Sequence, residues 1–233
     1  MAVDISANNY FAKDVNAIAA LPITMSGWIK IDTGPLDGNS GLLKRFLAGG
    51  GSLVKNWNYG LGFSLGTPTD VNVGYGDGTS YKYNLFDVNL ALNMWYFLCG
   101  VITSTYLYLT VNQTLYSVAK TALTPKSGPD YTCMLGGIEG SQIDGKISEV
   151  ALWNAQLTTA EINQLYVAFR KGLPLMIQST KLVAYYPGDD WSGGVVATGS
   201  IKDRGPNGNH IDVVGSPKGI GGCLSYPGRV IIV

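Results

Sequence analysis

The sequence predicts an all-β sandwich with one short helix. Short apolar segments alternate with polar residues at the spacing of two that is typical of strands, and turn residues separate them. Gly accounts for 31 of the 233 residues and Tyr for 14, which indicates many turns and aromatic-rich strands. A single segment near residue 160 has clear helical periodicity. A chain of this length suits one large β domain, or one domain with an appendage.

The N-terminal half contains several strand signals in succession. Ile23 and Met25 are predicted to share one face of a strand, and Trp28 lies on the opposite face. After a loop, Tyr81 and Tyr83 also alternate with polar residues, so they are predicted to share a face. The other strands predicted in this half are residues 2–12, 42–48, 59–65 and 71–75.

The central segment is the most apolar part of the chain. Residues 95–102 are nearly continuous in apolar side chains, which predicts a strand covered on both faces. Residues 106–111 alternate, so Leu107, Leu109 and Val111 are expected on one face, opposite Tyr106, Tyr108 and Thr110. Residues 115–119 are predicted to pair back as a hairpin, and 133–138 form a further short strand.

Residues 145–166 combine a strand with the predicted helix. Val150 and Leu152 share one face, whereas Ile147 has the other parity, so a bulge or burial on both faces is expected. Thr158 and Glu161 have the spacing of a helix N-terminal capping box. Apolar residues then recur at helical spacing, and a glycine follows that is typical of a helix end: Ile162, Leu165, Tyr166, Phe169 and then Gly172.

Three segments carry a resemblance to a known family. They are ITMSGWIKI at 23–31, WYFLCGVITSTYLYLTVN at 95–112 and GKISEVALWNAQLTTAEINQLY at 145–166. In this order and spacing they resemble the laminin-G-like domains of the concanavalin A-like lectin and glucanase superfamily, over residues 1–171. The resemblance implies a jelly-roll β-sandwich. Gln113 stands where the family motif has a glycine, so a different turn geometry is expected there.

Residues 172–233 are predicted to be a C-terminal extension that packs on the sandwich or on a neighbouring subunit. Residues 187–209 are dense in Pro, Gly, Asp and Asn. LVAYYP at 182–187 and DRGPNGNH at 203–210 resemble the tail of a version of this domain found in bacteriophage virion proteins. This resemblance implies a virion structural protein, made in the host cytoplasm. It would be a capsid decoration (cement) or tail-associated protein that contacts capsid or tail proteins and forms a homo-oligomer.

The charge pattern disfavours several classes of partner. Charged residues make up 14% of the chain, the formal net charge is +0, and no basic run is present, so we expect no nucleic-acid partner. Such a weakly charged surface is poorly protected against association, which favours a protein within an assembly. The apolar runs have strand length, so no membrane partner is expected, and no secretory signal pattern is evident. Cys99, Cys133 and Cys223 are expected to be buried free thiols.

The sequence does not predict an enzyme. The glucanase branch of the superfamily uses an E-x-D-x-x-E strand, which presents its acid and its nucleophile on one face. Glu139, Asp144 and Glu149 lie five residues apart, so successive carboxylates fall on opposite faces. His210 lies in an Asn- and Gly-rich turn without the context of a catalytic triad. We therefore expect no catalytic residues.

Calcium is the cofactor that relatives of this fold often hold at the rim of the sandwich. Asp70, Asp77, Asp189 and Asp190 could supply carboxylate oxygens to it. Asp-Gly and Asp-Asp pairs in loops usually form turns, so no cofactor is predicted, with calcium as the open alternative.

Carbohydrate binding is the alternative function. Lectins stack sugars on exposed aromatic rings, so a cluster of aromatic residues predicts a binding surface for host or environmental glycans. The competing interpretation is that these rings form cross-strand pairs or contact a protein partner. The candidate ligand-binding residues are Trp57, Tyr59, Tyr75, Tyr81 and Tyr83.

Overall fold

The computed structural model describes most of the chain as strands joined by short connections. The described residues are 2–5, 10–14, 21–33, 41–47, 57–63, 70–76, 81–120, 131–135, 137–138, 141–142, 144–167, 172–188, 194–195, 200–208, 210–214 and 218–220. One helix, α1, spans Thr159–Val167, and two 3₁₀ turns span Leu173–Leu175 and Ser179–Lys181. The strands, in chain order, are β1 (Ala2–Ile5), β2 (Tyr10–Asp14), β3 (Ile23–Ile31), β4 (Gly41–Leu47), β5 (Trp57–Phe63), β6 (Asp70–Gly76), β7 (Tyr81–Asp87), β8 (Trp95–Ile102), β9 (Tyr106–Val111), β10 (Thr114–Ala119), β11 (Tyr131–Leu135), β12 (Gly137–Ile138), β13 (Ser141–Gln142), β14 (Gly145–Trp153), β15 (Leu182–Tyr186), β16 (Gly194–Val195), β17 (Ser200–Ile201), β18 (Ile211–Val214) and β19 (Lys218–Ile220).

Two large sheets form an all-β jelly-roll sandwich. The nine-stranded sheet has the order β10-β9-β8-β3-β14-β1-β19-β16, and β15 also pairs with β14. The eight-stranded sheet has the order β17-β18-β2-β11-β4-β5-β6-β7, and β12 and β13 form a small separate pair. Neighbours such as β3 and β14 lie far apart in the sequence, so non-local antiparallel pairing holds the fold together.

The main core lies between the two sheets. Ile23 and Met25 of β3 share one face, as predicted, and this face points into the core together with the leucines of β9. Gly100 lets the sheets approach closely, since a Cβ there would lie 3.2 Å from Val73 Cγ2 and 3.3 Å from Leu61 Cδ1. The apolar surface removed from water here is the main source of stability.

A second apolar cluster covers the outer face of the nine-stranded sheet. Trp28 points to this side, as its parity predicts, and its ring stacks on Tyr166 of α1 with centroids 5.7 Å apart. Trp153 is fully buried, and its Nε1 donates a hydrogen bond of 2.9 Å to the carbonyl of Ile177. Cys99 is a buried free thiol in this cluster, and burial raises its pKa. The side chains of the other two cysteines lie outside the described residues.

The predicted irregularity in β14 is a β-bulge. The register of β14 against β3 shifts between Ser148 and Ala151, and Glu149 takes a left-handed φ of 54°. The extra residue returns Ile147 to the same face as Val150 and Leu152, and all three lie in the main core. On the edge of β14 that faces away from β3, two different strands pair on either side of the bulge: β1 before it and β15 after it.

The predicted capping box starts α1. The backbone N of Thr158 donates to Glu161 Oε2 at 2.7 Å, and the backbone N of Glu161 donates to Thr158 Oγ1 at 3.3 Å. Ile162 and Leu165 are the buried residues of the helix, as the stripe predicts, whereas Phe169 lies outside the described residues. Gly172 takes a φ of 80°, a conformation that glycine adopts at little cost.

Strands from residues 172–233 join both sheets. β15 pairs with β14, β19 pairs with β1, and β18 pairs with β2. The carboxylate of Asp203 is buried and accepts hydrogen bonds from the backbone N of Tyr185 (2.7 Å) and of Gly205 (2.6 Å). The division into a domain of 1–171 and an extension of 172–233 stays a prediction. In the described residues, no helix has the length and apolar character needed to cross a membrane.

Candidate functional site

The structure places two of the five predicted ligand-binding aromatics in the core. Tyr59 and Tyr75 are directly paired across β5 and β6, and both are 0% exposed. Tyr59 has the parity of Leu61 and Phe63, which point between the sheets. The expectation that these two tyrosines bind a sugar is therefore wrong, because a buried ring offers no face to a sugar.

The ring of Tyr75 contacts the ammonium group of a lysine at the rim of the sandwich. The Nζ of Lys120 lies 4.1 Å from the centroid of its ring, in a cation–π contact. Partial burial lowers the pKa of Lys120. This contact ties the end of β10 to the eight-stranded sheet.

Tyr83 is the predicted aromatic that the structure shows on the surface. It is 51% exposed and lies across from Gly74, on the face of the eight-stranded sheet that points away from the core. Tyr81 has the same parity in β7. The structure does not describe the side chains of Tyr81 and Trp57. The five residues thus do not form one exposed surface, and Tyr83 alone stays a candidate from the described part of the set.

A polar cluster of Lys30, Asp32 and Lys146 lies at one end of the nine-stranded sheet. Lys30 of β3 and Lys146 of β14 are directly opposite each other, where two like charges repel. The Nζ of Lys30 lies 2.6 Å from Asp32 Oδ1, and the Nζ of Lys146 contacts Asp32 Oδ2. Asp32 thus bridges the two ammonium groups. We name these three residues the Lys-Asp-Lys cluster.

Backbone geometry fixes the position of Asp32. β3 ends at Ile31, and the backbone N of Asp32 then donates a hydrogen bond of 2.8 Å to the carbonyl of Asp144, just before β14. Partial burial by itself raises the pKa of the Asp32 carboxyl, but the hydrogen bonds and charges of Lys146 and Lys30 outweigh it, so this pKa lies below its ordinary value. The carboxyl is therefore ionised at neutral pH.

An aromatic ring and an amide lie beside the Lys-Asp-Lys cluster. Trp95 of β8 is directly opposite Lys30 on the same face and is half-buried against the outer-face cluster. Asn93 takes a φ of 64°, and its Oδ1 lies 3.4 Å from the Nζ of Lys30. Its backbone N donates to the carbonyl of Ile31 at 2.7 Å. An indole, two ammonium groups, a carboxylate and an amide therefore meet at one end of the sheet.

Sequence reasoning missed this cluster. Lys30 lies near the end of one apolar strand and Lys146 near the start of another, in the segments ITMSGWIKI and GKISEV of a chain with few charges. The available signal was the resemblance itself, since both segments belong to its motifs. The pairing of β3 with β14 is what puts the lysines opposite each other, and no local pattern encodes that register.

The carboxylates considered for catalysis lie in separate environments. Asp144 accepts a hydrogen bond of 2.5 Å from Thr33 Oγ1 at the end of the sheet. Glu149 lies in the bulge of β14 and accepts a hydrogen bond of 2.5 Å from the hydroxyl of Tyr185. Glu139 lies outside the described residues. These two hydrogen bonds thus join Asp144 and Glu149 to different parts of the fold.

The other residues considered for catalysis or calcium binding are described only in part. His210 accepts a hydrogen bond of 3.0 Å at Nδ1 from the backbone N of Asp203, within the turn. Asp70 pairs with Asp87 across β6 and β7, while Asp77, Asp189 and Asp190 lie outside the described residues. Across the described ranges, no three His, Cys, Asp or Glu residues lie close enough together to hold a metal ion.

Comparison with known proteins gives a family match and several similar folds. A family model described as the concanavalin A-like lectin/glucanases superfamily matches residues 6–163. The comparison with curated protein sequences gives no match.

Three solved structures illustrate the similarity of the fold. A Bacteroides ovatus protein described as carbohydrate binding has a TM-score of 0.63 at 19% identity, covering 91% of this chain and 57% of its own. The heptameric SAP-like pentraxin of Limulus polyphemus has a TM-score of 0.53 at 15% identity, covering 72% of this chain and 82% of its own. Domain 4 of AbnA, an arabinanase from Geobacillus stearothermophilus in complex with arabinotriose, has a TM-score of 0.50 at 12% identity. The match covers 65% of this chain and 69% of the AbnA domain. At these identities the similarity shows the fold alone.

Proposed function

The chain belongs to the concanavalin A-like lectin/glucanases superfamily, and from that premise we propose that it is a non-enzymatic, lectin-like module that binds carbohydrate. Its similarity to the Bacteroides ovatus protein extends over 91% of the chain, which includes strands of the C-terminal region. Since a fold hosts many functions, the proposal depends on the site and not on the similarity.

The observation that carries the proposal is the Lys-Asp-Lys cluster beside Trp95. A sugar offers an apolar face of C–H groups and a rim of hydroxyls, each both a donor and an acceptor. The indole of Trp95 offers a flat apolar surface, Asp32 offers acceptor oxygens, and Lys30 offers N–H donors. Trp95 and Lys30 stand opposite each other on adjacent strands, and Asp32 follows just beyond the end of β3.

The site is held in place before any ligand arrives. The side chains of Lys30, Asp32 and Lys146 are only 21%, 24% and 22% exposed, and each is tied to another member of the cluster. Little rotamer freedom is left to lose on binding, which is the main way that a rigid site gains affinity. A carboxylate oxygen that accepts one lysine N–H retains a lone pair for a hydroxyl.

The glycan affinity of a Trp95→Ala variant, compared with that of wild type, tests the proposal. Wild-type protein is screened on a glycan array, and the affinity for the best glycan is measured by calorimetry. We expect Trp95→Ala to weaken binding by at least about tenfold, since the stacking surface is lost. Met176→Ala, at a side chain that is 78% exposed outside this site, serves as the control and should bind like wild type. Thermal unfolding of both variants shows whether the fold is intact.

The same experiment distinguishes the two candidate surfaces. Tyr83→Ala removes the exposed aromatic that the sequence predicted on the opposite sheet. Loss of binding in Tyr83→Ala but not in Trp95→Ala would move the site to the eight-stranded sheet. A wild-type protein that binds no glycan on the array would overturn the carbohydrate proposal altogether.

A role in a bacteriophage virion is the second candidate function. We place the module on the particle as a capsid decoration or tail-associated protein that contacts capsid or tail proteins. Its support is the 14% content of charged residues together with large apolar side chains on the surface, among them Met176 at 78% and Leu115 at 50% exposure. Mass spectrometry of purified phage particles from the source culture tests this role. Many copies per particle are expected, and absence from intact particles would reject it.

A further inference from the structure

Among the strands that the structure describes, β10 is an edge strand of the nine-stranded sheet. It pairs with β9 on one side through a hairpin in which Asn112 takes a φ of 55°, and no described strand pairs with its other side. Leu115 in this strand is 50% exposed, and Ser117 and Ala119 are exposed as well. An exposed edge is a template for pairing with another strand.

The hairpin determines which backbone groups point outward. The backbone N of Lys120 donates to the carbonyl of Thr105 at 3.0 Å, which makes this pair a hydrogen-bonded one. In an antiparallel ladder such pairs alternate, so Thr114, Tyr116 and Val118 bond to β9. The N–H and C=O groups of the residues between them point away from the sheet, namely Leu115, Ser117 and Ala119.

The residues of β10 itself carry none of the features that usually protect an edge strand against pairing. The corresponding edge strand of the other sheet, β7, carries Lys82 and Asp87, which discourage association with another strand. The sequence of β10, TLYSVA, contains no charged residue and no proline. Nothing in the strand itself therefore opposes the approach of an identical strand.

We propose that β10 is the seam of a homodimer, in which it pairs with β10 of a second copy around a two-fold axis at Ser117. In this antiparallel register, Ser117 meets Ser117, and Leu115 meets Ala119 of the second copy. Every outward N–H then faces an outward C=O, so all the free edge groups are satisfied at once. A large side chain lies beside a small one on the outer face, and the two nine-stranded sheets become continuous.

Neighbouring rings extend this contact. Tyr106 and Tyr108 of β9 stack with centroids 5.6 Å apart on the same face as Leu115, and Tyr106 is 42% exposed. In the proposed register, Leu115 of one copy lies next to Ala119 of the other, and Ala119 is paired with Tyr106 in its own sheet. Leu115 of each copy therefore approaches the tyrosine stack of the other. The contact thus combines backbone hydrogen bonds with apolar burial, which is the means by which strand addition gains affinity.

Sedimentation of the full chain across a concentration series tests the proposal. We expect wild type to move from 24.8 kDa towards twice that mass as its concentration rises to about 100 μM, a range typical of modest interfaces. Ser117→Lys puts two like charges opposite each other at the axis and should weaken the dimer by at least about tenfold. Ala160→Lys adds the same charge at an exposed helix position and should leave the mass unchanged from wild type.

A cysteine at the axis tests the register. Directly paired residues in a hydrogen-bonded antiparallel pair have Cα atoms about 5.5 Å apart, within the span of a disulfide. Ser117→Cys should therefore form a covalent dimer under mild oxidation, whereas Ala160→Cys should not. A wild type that stays monomeric throughout, as expected if another protein's strand occupies this edge, would overturn the proposal. So would a dimer that Ser117→Lys leaves intact.

Discussion

Tyr185 of β15 donates a hydrogen bond of 2.5 Å from its hydroxyl to Oε2 of Glu149, the residue that forms the bulge of β14. The same hydroxyl accepts a hydrogen bond of 2.8 Å from the backbone N of Gly172. Tyr185 itself is buried in the outer-face cluster. One side chain thus links the bulge, the residue that precedes the 3₁₀ turn Leu173–Leu175 and the first strand of the C-terminal region.

Removing this hydroxyl should destabilise the fold. In Tyr185→Phe the carboxylate of Glu149 and the N–H of Gly172 both lose this partner in a partly buried place, which costs about 1–3 kcal/mol of the free energy of unfolding. Urea denaturation measures the loss. Tyr106→Phe removes a hydroxyl from a ring that is 42% exposed and should change stability by less than about 0.5 kcal/mol. Equal stabilities of the two variants would show that the network contributes nothing.

The capping box should contribute measurably to the stability of α1. Thr158→Ala removes the hydroxyl that accepts from the backbone N of Glu161 at 3.3 Å, so we expect a loss of about 1 kcal/mol. Thr159→Ala is the matched control, because Thr159 is exposed at the start of the helix and alanine favours helix formation there. Thermal denaturation distinguishes the two. A Thr159→Ala variant that loses as much stability as Thr158→Ala would contradict the assignment of the cap.

Local patterns predicted the parts of the fold that depend on neighbours in the chain. The parity of Ile147 predicted either a bulge in β14 or burial on both faces, and the structure shows the bulge, which places Ile147 with Val150 and Leu152. Thr158 and Glu161 predicted the start of α1 in the same way. Each of these features follows from side chains within a few residues of one another.

The site depended on information that no local pattern carries. Alternation groups Tyr59 with Leu61 and Phe63, but it does not by itself say which face of the strand is buried. The regular glycines at 60 and 62 on the other parity were the available signal that the tyrosine points inward. The Lys-Asp-Lys cluster follows from the pairing of β3 with β14, and this non-local register was not available before the fold was known.

The Lys-Asp-Lys cluster should make stability depend on pH. The pKa of Asp32 lies below its ordinary value in the folded chain, so its ionised form stabilises the fold above about pH 4, and this contribution is lost as the pH falls through the folded value. Asp32→Asn leaves Lys30 and Lys146 opposed without a carboxylate. We therefore expect it to be less stable than wild type at pH 7, by a margin that narrows below about pH 4.

Unfolding of Asp32→Asn and wild type across this pH range provides the measurement. Asp144→Asn is the control, since Asp144 bonds to Thr33 at an exposed position and forms no ion pair with either lysine. A margin between wild type and Asp32→Asn that stays constant into strong acid would mean that the charge of Asp32 does not stabilise the fold.

Gly145 should tolerate a side chain poorly, because of the space around it and not because of its backbone conformation. A Cβ at this position would lie 2.1 Å from the carbonyl oxygen of Lys30, and a backbone atom in a paired strand cannot give way cheaply. Gly145→Ala should therefore lower the free energy of unfolding by about 3 kcal/mol, the upper end of the usual cost of overpacking. Gly208→Ala offers the opposite case, since its φ of 61° is strained for alanine but no atom lies within 4 Å, and about 1 kcal/mol is expected.

The position of Gly145 also connects this prediction to the site. Gly145 precedes Lys146 and pairs with Ile31, so strands pushed apart there would separate Lys146 from Asp32. Any glycan affinity should then fall in Gly145→Ala protein that is still folded, while Gly208→Ala retains it. The opposite outcome is a Gly145→Ala variant with the urea midpoint and the glycan affinity of wild type. It would show that the close approach of β3 and β14 at Gly145 does not fix the position of the Lys-Asp-Lys cluster.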